Sequence, residues 1–146
     1  MKKKKGTKPE KPLSKSVAAL AKSPDDYVDE SYANRFNSFV HDVRETVISK
    51  GFHESPEYET VPHFCMMVIT ELAEIVEYDR TDSFKEPCDK KFGKVPIGIS
   101  KIEEEVADAM MRLMSFAEKH GLNLGRAIQL KHLFNTMRPR KHGKKY

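Results

Sequence analysis

The sequence predicts an all-α fold: a four-helix bundle that oligomerises. Apolar residues recur at helical spacing in four segments, and start and stop signals punctuate each of them. The last two segments are apolar over wider arcs than one partner helix can cover, through Met110-Met111-Leu113-Met114 and Leu130-Leu133-Phe134-Met137. Such a breadth implies a second subunit.

The first long helix is expected from about Asp29 to Lys50, with Tyr32, Phe36, Phe39, Val40, Val43 and Val47 as its core face and Gly51 as its stop. A shorter helix over Val17–Lys22 is broken by Ser23-Pro24. The second long helix opens near Pro62, a residue suited to a first turn, and ends around Asp79-Arg80. Its apolar stripe is Cys65, Val68, Ile69, Leu72, Ile75 and Val76. Residues 81–100 read as a long loop with two prolines, two glycines and four lysines, with a brief extended stretch at Ile97-Gly98-Ile99. Ser100 with Glu103 forms a capping box that starts the third helix, which runs to about His120 with Ile102, Val106, Met110, Leu113, Phe116 and Ala117 inward. Gly121 ends it, and a last helix spans Leu124 to Met137 before Pro139. The organisation is thus a disordered basic leader (1–28), one helical domain (29–138) and a basic tail (139–146).

A chain of 146 residues, 38% hydrophobic and 33% charged, sustains one domain with a modest core. No apolar run reaches membrane-spanning length, and the N-terminal lysines lack the apolar stretch of a signal peptide. Cys65 and Cys88 lack metal-ligand spacing, which points to free thiols in a reducing, cytoplasmic setting. The net charge of +4 hides an asymmetry. Residues 1–22 hold eight lysines against one acid, and residues 138–146 hold five basic residues and no acid. The segment between them holds thirteen basic residues against twenty-one acidic ones. An acidic body with basic ends is not the footprint of a specific nucleic-acid-binding domain.

The acids of that body are patterned. Glu71 and Glu74 lie side by side on the second helix, and Glu105 and Asp108 repeat the spacing on the third, at the same phase to the neighbouring apolar residues. Each pair alone is also what a solvated helix face offers. If the helices pack together, four carboxylates converge and repel unless a cation or protons neutralise them. Oxygen ligands without His or Cys select Mg²⁺ or Mn²⁺. Mg²⁺ commonly shares its coordination with phosphates, which directs the reading to phosphoanhydride cleavage. On the last helix, Lys131, Asn135 and Arg138 fall on one face and make a candidate phosphate clamp.

The strings Lys50-Gly51-Phe52, Met67 to Arg80 and Glu104-Glu-Val-Ala-Asp108 resemble the MazG-like all-alpha nucleoside triphosphate pyrophosphohydrolases, as does the ending Ala127 to Lys131, Asn135 to Pro139 and His142 to Lys144. The resemblance spans about Asp29 to the C-terminus. It implies the bundle of that family, packed as a homodimer or homotetramer. It implies Mg²⁺ held by Glu71, Glu74, Glu105 and Asp108, with Glu71 or Glu74 orienting water. Lys131, Asn135 and Arg138 then contact the substrate. The expected reaction converts a nucleoside triphosphate to monophosphate and pyrophosphate, a nucleotide-pool-clearing hydrolase. A phosphoribosyl-ATP pyrophosphatase-like enzyme and a non-catalytic helical interaction protein are the alternatives. Base contacts are less fixed; Phe36, Phe52, His53 and His63 are aromatic candidates, each also suited to packing.

Overall fold

The computed structural model describes residues 23–52, 55–56 and 60–138. The leader 1–22 with its expected short helix, His53 and the tail 139–146 lie outside the described residues. Among those described, the chain is helical: α1 (Glu30–Ser49), α2 (Val61–Arg80), α3 (Lys101–Lys119) and α4 (Leu124–Met137). A short hairpin of β1 (Lys91–Phe92) and β2 (Val95–Pro96) interrupts them. The chain separates into two compact units, Arg35–Leu124 and Met1–Asn34 with Gly125–Tyr146.

In the central unit the helix ends follow local chemistry. The Thr60 side chain accepts from the His63 N–H at the start of α2, with Pro62 in the first turn. Ser100 and Glu103 form the expected reciprocal capping box at the start of α3. Gly51 and Gly121 adopt φ of 78° and 61° just past α1 and α3, a conformation that costs glycine little. Val40 and Val43 of α1 pack on Met114 of α3, with Phe36 and Leu124 alongside. Two polar contacts tie the same helices: Arg44 donates to the Ser115 hydroxyl at 3.2 Å, and His41 meets Glu118 at 2.9 Å. Helices α2 and α3 pack closely side by side. Phe64 sets its ring edgewise on Phe116 across them, with centroids 5.5 Å apart.

The apolar faces differ from the expectation. Tyr32 and Phe39 of α1 are exposed, whereas Ala33 and Arg44 are buried. On α2 the buried side chains are Phe64 and Glu71; Cys65, Ile69, Leu72 and Val76 of the expected core stripe are exposed. On α3, Glu105, Ala109, Met114, Ser115 and Ala117 are buried, and Val106, Met110 and Leu113 face out. Glu71 and Glu105 share the packed side of these two helices with Phe64 and Phe116.

The segment 81–100 is more structured than a loop. Lys91 pairs with Pro96 and Phe92 with Val95 around Gly93-Lys94, so the extended stretch falls just before the expected Ile97–Ile99. Its base is anchored to α3 by a Pro87–Ser100 bridge and by bonds from the Cys88 N–H to the Ile99 carbonyl and the Lys101 N–H to the Glu86 carbonyl. Cys65 and Cys88 are free thiols.

In the terminal unit, a 3-10 turn (Pro24–Tyr27) is capped by Ser23 and tied to α4 by an Arg126–Asp25 ion pair at 2.6 Å. The Asp29 N–H donates to Gln129 at 2.8 Å, and the Gln129 amide donates back to the Asp29 carbonyl. Gly125 sits against the Ala33 backbone so closely that a Cβ would lie 2.8 Å from the Ala33 carbonyl oxygen. Only glycine lets the two helices approach that far.

Candidate metal centre and adjoining cleft

Three of the four predicted acids meet. Carboxylate oxygens of Glu71, Glu74 and Glu105 lie within 4.8 Å of one another. Glu71 and Glu105 are buried at the α2–α3 contact and Glu74 is exposed at its edge. Their convergence follows from the shared phase of the two pairs, with Leu72 and Val106 turned outward as the acids turn in. Asp108 stands one turn beyond Glu105, half-buried and outside this group of three.

The surroundings set the charge state. Burial holds the Glu105 carboxyl up at about 7, and the charges of Glu74, Glu104, Glu71 and Asp108 push the same way. Asp108 is raised for the same reasons, burial first and then Glu71 and Glu104, while Arg112 and Lys90 oppose the shift. Raised carboxyls are what acids brought together without a counter-cation show.

Arg112, Tyr78, Lys90 and Glu104 complete the arrangement, and the predicted site set contained none of the four. Arg112 donates to Glu71 through Nε at 3.0 Å and pairs with it again through its terminal nitrogen at 3.0 Å. The Tyr78 hydroxyl donates to Glu105 at 3.4 Å, and its own ionisation is raised by burial and by that carboxylate. Lys90, from the hairpin segment, pairs with the mostly buried Glu104 at 2.9 Å and with Asp89 at 2.9 Å. These partners hold Lys90 in its charged form. A signal for two of the four was present in the sequence: Tyr78 and Arg112 each follow the first acid of their own pair by seven residues, two turns along the same face.

Beside the acids opens a cleft of about 780 Å³. Phe39 and Val43 of α1, Phe52 after it, Phe64 and Met67 of α2 and Met111 of α3 make its walls mainly apolar. Asp108 and Arg112 line it as well, so cleft and acid cluster are contiguous. Of the aromatic candidates, Phe52 and His63 line this cleft, while Phe36 packs in the α1–α3 core.

The predicted clamp residues Lys131, Asn135 and Arg138 belong to the terminal unit. There the charged groups of Lys131 and Arg138 lie 5.0 and 5.5 Å from the centroid of the Phe134 ring, a cation–π arrangement. No helix among the described residues is long and apolar enough to cross a membrane. No family model, curated protein or solved structure matches this chain.

Proposed function

We propose that the protein is a divalent-metal-dependent nucleoside triphosphate pyrophosphohydrolase, releasing monophosphate and pyrophosphate. The observation that carries this reading is the convergence of Glu71, Glu74 and Glu105 within 4.8 Å across two helices. The donor set fits a hard cation. It consists of carboxylate oxygens without sulfur or imidazole, two of the three carboxylates are buried, and Glu105 retains a proton to about pH 7 in place of a counter-ion. Glu71, Glu74 and Glu105, with Asp108 beside them, would hold Mg²⁺ or Mn²⁺. When bound, such a cation offsets phosphate charge and acidifies water.

The chain's own groups do the rest. Arg112 fixes the Glu71 carboxylate by two bonds, and Tyr78 fixes an oxygen of Glu105, so neither acid is free to rotate. Glu74, exposed at the edge of the cluster, is the carboxylate best placed to accept a proton from an attacking water. Lys131, Asn135 and Arg138 keep the phosphate-contacting role that the family resemblance gives them. The phosphoribosyl-ATP-directed variant of this chemistry would use the same acids.

A second copy of the chain belongs to this reading. Ile69, Leu72 and Val76 on α2 and Val106, Met110 and Leu113 on α3 expose between 44 and 56% of their surface in two stripes at helical spacing. Stripes of that kind fit a homodimer or a higher homo-oligomer.

The deciding experiment is a panel of nucleoside triphosphates with Mg²⁺, followed by chromatography and phosphate analysis. Equal yields of monophosphate and pyrophosphate are expected. Orthophosphate with diphosphate as first products, or no turnover with a folded protein, overturns the reading; the latter favours a non-catalytic interaction protein.

A further inference from the structure

We infer that the cleft beside the acid cluster receives an aromatic base carrying an amino group, as in cytosine, adenine or guanine, in preference to a base that offers only carbonyl oxygens there. The inference rests on the proposed nucleotide chemistry for its biological meaning, but on the cleft itself for its argument. At about 780 Å³ the cleft is large enough for a nucleoside. Phe39 is an unspent aromatic wall, while the Phe52 ring carries the Arg112 guanidinium 5.9 Å from its centroid. Phe39 and Phe52 both line it, yet remain 55% and 58% exposed. Exposed phenyl rings on one cleft suit a flat ring, which stacks on them without regard to its substituents.

Selection between rings falls to Asp42. It stands on the α1 wall, one turn from both Phe39 and Thr46. Its carboxylate has no ion pair or hydrogen bond among the described residues. An ionised carboxylate only accepts hydrogen bonds. An exocyclic amine supplies the donor, whereas a carbonyl oxygen at the same place repels it. The same cleft carries Arg112 and Asp108, which adjoin the acids, so a base held by Asp42 shares the cleft with the edge of the cluster.

The test uses the full chain in metal-free buffer, titrated calorimetrically with cytidine, adenosine, guanosine, uridine, thymidine and inosine monophosphates. Cytidine, adenosine or guanosine monophosphate is expected to bind about tenfold tighter than the keto-only bases, the effect of one charge-assisted hydrogen bond. Asp42→Asn, at an exposed position that leaves the fold intact by circular dichroism, should erase that preference. Phe52→Ala should weaken every base by about fivefold or more. Equal binding of all bases, no binding of any, or a preference that survives Asp42→Asn overturns the inference. Selective binding with no triphosphate turnover in Mg²⁺ supports the cleft and overturns the hydrolase reading, so the two fail separately.

Discussion

Helix α3 makes two contacts of opposite character. Toward α1 it offers Met114 to Val40 and Val43, an apolar seam that also contains the buried Arg44–Ser115 bond and has the exposed His41–Glu118 pair at its edge. Toward α2 it buries Glu105 against Glu71 and leaves Val106, Met110 and Leu113 in the open. The first seam is mainly what hydrophobic burial produces, with one buried charge, Arg44, held by the Ser115 hydroxyl. The second opposes that tendency twice, by desolvating carboxylates and by leaving apolar area wet. An inversion of this kind is expected at sites where another requirement overrides stability. One helix thus separates a mainly apolar contact from an acidic one by rotation about its axis.

The largest effect should come from breaking the apolar seam. Met114→Ala removes a buried side chain whose neighbours Val40 and Val43 cannot fully close the gap, at a cost of about 2–5 kcal/mol. A shift of the urea midpoint at constant slope measures it. A loss under about 1 kcal/mol would mean that this seam does not dominate the core.

The acidic seam should respond to pH in a defined direction. Glu105 titrates at about 7 in the folded protein, against about 4.5 for an ordinary glutamate. Between those values the folded state binds more protons, so stability falls as pH rises from about 4.5 to about 7 and then levels. The stabilising contribution is whole below 4.5 and gone above 7. Asp108, also raised, adds in the same sense. The unscreened loss for Glu105 alone is about 3–4 kcal/mol, which solvent screening at this partly open cluster lowers toward about 2–3 kcal/mol in the metal-free protein. Glu105→Gln should flatten the profile. A metal-free wild type that gains stability over that range would show the acids to be held apart or otherwise neutralised.

The two seams were unequally legible. Segment boundaries, caps and glycine stops are local and came through nearly intact, because each depends on a few adjacent residues. The pairing of Glu71 with Glu105 was also readable, since equal phase on two helices survives any packing that brings them together. Which face of α2 turns inward was not. Periodicity identifies a stripe such as Ile69-Leu72-Val76, and hydrophobicity assigns it to the nearest core, while in the described structure it is exposed. Arg112 was missed because an isolated arginine on an acid-bearing face resembles a solvated charge until Glu71 is seen 3.0 Å away.

A divalent cation should relieve the acidic seam and leave the apolar one untouched. Mg²⁺ at ten times its Kd should stabilise wild type by about 1.4 kcal/mol, a rise in Tm of roughly 3–6 °C. Glu74→Gln should melt at or above wild type without metal, since one repelling charge is gone, and should lose most of the rise. Differential scanning calorimetry with and without Mg²⁺ reads both. An unchanged Mg²⁺ shift in Glu74→Gln would make Glu74 a surface residue and remove the acid cluster as the metal's site.

The smallest effect on the isolated chain tests the outward stripe. Ile69→Lys and Met110→Lys replace residues 53% and 49% exposed with a residue that helices accept readily. Neither position contributes a packed core side chain, so thermal stability of the monomer should change by less than about 0.5 kcal/mol. Val43→Lys, on the same kind of helix but only 7% exposed, should unfold the protein, because a lysine there buries an unpaired charge. If a second copy covers the stripe, light scattering after size exclusion should show wild type at a multiple of the 16.8 kDa chain and both exposed-face variants reduced toward it. The charge introduced would be desolvated only in the assembly, so its cost falls on association and spares the fold. A wild type of monomeric mass would leave the stripe uncovered and overturn the second copy. A strongly destabilised Ile69→Lys monomer would instead mean that α2 is rotated from its described orientation, and the contrast between the two seams would fail.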